Sequence, residues 1–204
     1  MEIIRDSTEN EMILCFLAGE LDSHRFSAEL SENMKKLGIS EDTIRSGDLL
    51  SEEQNSLRRK LLGEFRGYPD KEIFENYPKD ITWKYVRFSE SDIGSLYYVD
   101  YSYWNELSRG TSRPADAVLT IKSGTEIFGQ PNDNFLRGAE YLKTGKFPPI
   151  IVLTCGNGKY LILEGHCRAT SYALSPGRFG GTFGYCGFCT EPEMKAKNAI
   201  LVRS

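Results

Sequence analysis

Residues 164–168, Glu-Gly-His-Cys-Arg, set an acid, a glycine, an imidazole, a thiol and a guanidinium side by side. The apolar run KYLIL before them reads as a strand, and CRATSYAL after them reads as a helix. Gly165 lets the backbone turn sharply and come close to a ligand. The N–H groups that follow open a helix, where unpaired donors and the helix dipole together attract an anion. Arg168 sits in the first turn and can fork onto phosphate oxygens. His166, one of two histidines in the chain, can donate to a phosphate or exchange a proton near neutrality. Glu164 could hold a metal, orient His166 or act as a base. These are the parts of a phosphate site, and a plain strand–helix turn with incidental polar groups is the competing reading.

The elements that must position this pentad are legible around it. PPIIVLTC (148–155) is a short, β-branched run suited to a buried strand. Asn157-Gly158 is a hairpin-turn pair, because both residues tolerate positive φ. Ser175-Pro176-Gly177 stops the helix, and GTFGYCGF (181–188) reads as a third strand. Upstream, ITWKYVRFS (81–89) has strand composition and SDIGSLYYV (91–99) a short helix running into a strand. Pro114 suits the first turn of a helix carrying Ala117 and Ile121, and Phe135, Ala139 and Leu142 share a face of the next, which Gly145 ends. The first third reads as helical. Ser23 is a candidate cap for a helix with Phe26, Leu30, Met34 and Leu37 on one face and Gly38 at its end. Ser51-x-x-Gln54 has the form of a capping box before Leu57, Leu61 and Phe65. Arg58, Arg59, Lys60 and Arg66 read as a solvated face of that helix. The fold class is therefore mixed α/β (α+β): a domain over 81–204 preceded by a helical extension over 1–80.

The stretch PPIIVLTCGNGKYLILEGHCRATSYAL resembles the ParB/sulfiredoxin superfamily, whose members place a Gly-x-x-Arg helix start after a strand–hairpin–strand. The match is Gly165-His166-Cys167-Arg168, nearest the Gly-His-His-Arg form of the ParB-like kinases of free serine. It extends over about 131–174, is vaguer over 100–124 and is not seen in 1–80. The resemblance implies a ParB/sulfiredoxin-like fold and the binding of a nucleotide phosphate, from ATP or CTP with Mg²⁺. Gly165, His166, Cys167 and Arg168 would hold the phosphates. Arg109 and Arg113, in the polar loop of YYVDYSYWNELSRGTSRP, would assist, with the aromatic residues there either a base platform or a packed shelf. Glu164 and His166 would be the catalytic pair of a phosphotransferase or NTPase. A nucleotide-sensing or DNA-associated regulator and a ParB-like nuclease are the alternatives. Two departures stand out. The position of the sulfiredoxin catalytic cysteine holds His166, and the Glu-Asn-x-Gln-Arg motif of partition proteins is missing.

Bulk properties bound the rest. A net charge of −4 argues against coating nucleic acid by bulk charge. The longest apolar run, Met12 to Ala18, is too short to span a bilayer, so no membrane association is expected. Five scattered cysteines suit a reducing cytoplasm. Cys186-x-x-Cys189 lacks the partners of a zinc site and does not open a helix as redox pairs do, so it reads as two small apolar side chains. His24 reads as a surface residue and Trp83 as core.

Overall fold

The computed structural model describes residues 1–23 and 25–202, with Val202 described for its backbone only. A first strand, β1 (Glu2–Asp6), leads into helix α1 (Glu9–Leu21). Thr8 caps α1 by accepting the Glu11 N–H, and Glu9 and Glu11 lie in the first turn, where negative charge suits the helix dipole. Then come α2 (Ser27–Leu37), the single turn α3 (Asp42–Arg45) and α4 (Glu52–Arg66). The remaining elements are β2 (Thr82–Arg87), β3 (Leu96–Tyr97), α5 (Ser102–Leu107), α6 (Pro114–Lys122), α7 (Asp133–Tyr141), β4 (Ile150–Thr154), β5 (Tyr160–Glu164), α8 (His166–Leu174), β6 (Phe183–Phe188) and α9 (Glu191–Lys197).

The six strands form one mixed sheet in the order β1-β2-β6-β4-β5-β3. β1/β2, β2/β6 and β4/β5 are antiparallel, whereas β4/β6 and β3/β5 are parallel. β4 is buried along its whole length and β5 nearly so, which is why both read as unbroken apolar runs rather than alternating ones. The turn between them uses positive φ at Gly156 and Gly158, while the Asn157 side chain accepts the Lys159 N–H. The class is mixed α/β. The first third is helical except for β1, which pairs with β2 across residue 80, and the buried apolar residues of both segments belong to one core.

Several local expectations hold. Pro114 opens α6, Gly38 ends α2 in the left-handed region, and Trp83 is buried. Two are corrected. α2 starts at Ser27 rather than after Ser23, because Ser23 is spent on a turn: its carbonyl accepts the Ser27 N–H and its hydroxyl accepts the Arg25 N–H. His24 lies outside the described residues. Arg58 is buried rather than solvated. Its guanidinium donates to the carbonyls of Thr43 and Asp48, both at 2.8 Å, and to the side chains of Gln54 and Asn55. Arg58 thus pins the 43–48 connection onto α4, with neutral acceptors in place of a counter-ion. Arg58→Ala strands these largely part-buried acceptors and empties a buried site, and should lower stability by at least about 2 kcal/mol in urea denaturation. A loss under half a kilocalorie would show that water replaces the guanidinium.

Candidate functional site

The chain leaves β5 at Glu164 and turns on Gly165, whose φ of +97° is the left-handed region open to glycine. A Cβ there would also lie 2.8 Å from Ile150 Cγ2. Backbone freedom and close approach both require the glycine. α8 begins at once. The N–H groups of His166, Cys167 and Arg168 make no hydrogen bond among the described residues, and the first intrahelical bond runs from Ala169 N–H to the Gly165 carbonyl. The turn has the donor geometry read from the sequence.

The side chains are disposed differently from that reading. Arg168 pairs with Glu164 one turn back and donates through Nη1 to the carbonyls of Pro148 (3.1 Å) and Pro149 (2.6 Å). Its guanidinium therefore ties the first turn of α8 to the segment entering β4. The end of α1 closes over it: a Cβ on Gly19 would sit 3.3 Å from Arg168 Nη2. The fork anticipated for phosphate is occupied by the protein itself.

His166 is buried. Its ring stacks on Trp104 (centroids 5.3 Å, planes at 17°), and Trp104 stacks in turn on Tyr98 (4.5 Å, 22°). Burial, reinforced by Arg66 and Arg168, pushes His166 down to about 3, so the imidazole is neutral at physiological pH. Its Nε2 is sealed from solvent and has no partner among the described residues. His166 is thus the end of an aromatic stack and supplies no charge. Within the aromatic segment 97–104, Tyr98 and Trp104 form a buried, packed shelf, while Tyr101 is exposed. Cys167, by contrast, is exposed.

A residue the sequence did not single out completes the site. Glu20, near the end of α1, is buried and lies against Glu164. Burial first, then the Glu164 charge, raises the Glu20 carboxyl to about 8; Arg66 and the Ser23 hydroxyl oppose this. The Glu164 charge beside it thus favours the protonated form of Glu20. Arg66, at the end of α4, lies over the Phe26 ring at 4.8 Å and acts on both Glu20 and His166. The Arg25 and Glu20 charges both reach the Cys167 thiol. The ends of α1 and α4, the turn before α2 and the start of α8 therefore converge. The local signal that could have flagged Glu20 is weak: a lone acid on the apolar stripe of a helix.

Arg109 and Arg113 are placed elsewhere. Arg113 donates to the Gly94 carbonyl, beside the start of β3. Leu96 there pairs with Tyr160, at the opposite end of β5 from Glu164, roughly 13 Å along the strand. Arg109 bonds to Thr120 of α6. Among the described residues neither bonds to the Gly165 turn. Among the described residues no group of three or more His, Cys, Asp or Glu side chains is arranged to hold a metal. The local donor set also fits Mg²⁺ poorly, because Glu164 is paired with Arg168 and Glu20 holds its proton. Searches against family models, curated proteins and solved structures return no match.

Two outcomes test this geometry. Gly165→Ala must hold a methyl-bearing residue at φ +97° against Ile150 and should cost about 1–3 kcal/mol; unchanged denaturant midpoints would contradict the turn. Glu20 keeps a proton that the unfolded chain releases at about 4.5, so its contribution falls as pH rises from 4.5 to 8. Glu20→Gln should flatten that part of the stability–pH curve and exceed wild type at pH 8 by at least about 1 kcal/mol. Parallel curves for the two proteins would show that Glu20 is ordinarily ionised in the fold.

Proposed function

We propose that the protein binds a phosphate-bearing ligand at the start of α8, a nucleoside triphosphate such as ATP or CTP in the manner of ParB/sulfiredoxin-like proteins. The observation that carries this reading is the row of unpartnered N–H groups on His166, Cys167 and Arg168 behind the left-handed Gly165. Such donors, at the positive end of a nine-residue helix, suit an anion. In this reading the cationic help comes from Arg66 and Arg25 rather than from His166 and Arg168. Arg168 and Gly165 keep the turn in shape. The Glu20 carboxyl, held protonated beside the turn, is in this reading the proton donor for phosphoryl transfer or hydrolysis, with Glu164 setting its charge. Mg²⁺, if it accompanies the nucleotide, would draw its ligands mainly from phosphate oxygens and water.

The locked Arg168 and the neutral His166 favour a second reading, in which the nucleotide is bound without turnover and acts as a signal to a protein or DNA partner. Phosphate release separates the two.

The test is a thermal-shift series with ATP, CTP, GTP and their diphosphates, on wild type and Arg66→Gln. A ligand at a hundred times its dissociation constant should add about 2.7 kcal/mol of stability, and the variant should need several-fold more ligand for the same shift. No shift with any nucleotide removes the reading. A shift with phosphate release that Glu20→Gln and Glu164→Gln abolish selects the enzyme; a shift without release selects the sensor.

A further inference from the structure

The sequence draws attention to Cys186 and Cys189 as a CxxC pair, but the fold pairs Cys189 with a different thiol. Cys186 lies within β6 and Cys189 directly follows it. Three residues of extended chain separate their Cα atoms by about 10 Å, beyond the roughly 7 Å limit for a disulfide. β4 and β6 run parallel, with Thr154 opposite Phe188 as their last registered pair. Cys155 and Cys189 are the next residue on each strand. The ladder reaches them, because the Cys189 N–H donates to the Thr154 carbonyl at 3.0 Å. The Cys189 thiol turns the same way, 3.6 Å from that carbonyl oxygen. Adjacent strands lie about 4.8 Å apart, inside the Cα range that disulfides occupy. The Cys155 charge reaches the Cys189 thiol. Both are free and half-buried, so a small oxidant can reach them.

We propose that Cys155 and Cys189 form a reversible disulfide across the ends of β4 and β6, by exchange with a low-molecular-weight disulfide such as oxidised glutathione. The Cys155 thiolate attacks one glutathione sulfur and releases the other as a thiolate. The Cys189 thiolate then attacks the Cys155 sulfur of the mixed disulfide, forming the protein S–S bond and releasing the second glutathione. Two thiol protons and two electrons leave the protein, and one glutathione disulfide becomes two thiols. Burial, then the nearby Glu193 carboxylate, pushes the Cys189 thiol up to about 12, which slows its step. The closed loop would contain β5, Gly165, α8 and β6, so oxidation would fasten the frame around the candidate site. The inference stands on strand register alone and is independent of what that site binds.

The folded full-length protein is incubated with oxidised glutathione at about pH 8.5, where more thiolate is present, then alkylated and peptide-mapped without reduction. The expected product joins the Cys155 and Cys189 peptides, two hydrogen masses lighter than their sum, and dithiothreitol separates them. The oxidised protein should melt at least about 4 °C higher, and Cys155→Ser should lose both effects. Persistence of free thiols or mixed disulfides at the two positions overturns the proposal, as does a Cys186–Cys189 linkage in the folded protein. The wild-type map decides the matter even where the serine variant folds poorly.

Discussion

The Arg168 guanidinium holds the centre of the molecule together. It reaches back one turn to Glu164, sideways to the Pro148 and Pro149 carbonyls, and lies under Gly19 of α1. Three segments that share no sequence neighbourhood therefore meet on one planar cation: the strand–helix turn, the entry to β4 and the end of the N-terminal helix. A cation in that position must have its donors satisfied, since a buried unpaired charge is far costlier than a buried pair is beneficial. The two carbonyls and the carboxylate meet that demand. Having done so, they leave Glu164 committed on one side and pressed against Glu20 on the other. The raised Glu20 carboxyl follows from the clamp.

The aromatic stack plays the complementary part. Trp104 and Tyr98 give His166 a flat apolar bed, and Tyr98 shares a hydrogen bond of 2.6 Å with Thr170 one turn along α8. The inner side of α8 is thus fixed by rings and a hydroxyl pair, the outer side by the guanidinium clamp. Between them the first three N–H groups of the helix are held in a rigid orientation. A helix start so braced can meet an anion without first being ordered, which lowers the entropic cost of binding.

What the sequence could reveal follows from where each determinant sits. β4, β5 and α8 were legible because burial on both faces leaves unbroken apolar runs and because glycine punctuation is local. β1 was not, since Glu2-Ile-Ile-Arg-Asp6 is exposed throughout and is held by partners eighty residues on, with Arg87 facing Glu2 and Lys84 facing Asp6. Arg58 looked like its basic neighbours until the carbonyls of the 43–48 connection were in place around it. His166 was legible as a residue at a helix start, but its neutral state is tertiary, made by Trp104 and by burial. Glu20 carried only a faint local mark, an acid on an apolar stripe, because its chemistry is created by burial and by Glu164.

The order of strands across the sheet has a kinetic side. β4 and β5 are joined by a tight turn and can pair as soon as both exist, whereas β1 and β2 join Glu2 to Arg87, and β2 and β6 join Thr82 to Phe188, each closing a long loop. Loop closure over long separations is entropically expensive and slow. The hairpin is therefore the natural early nucleus, with α8 condensing on it and the outer strands arriving last. Glu20 and Glu164 lie on opposite sides of that divide. The turn of Gly165 can take shape early, but the raised Glu20 carboxyl comes into being only when α1 has docked beside Glu164.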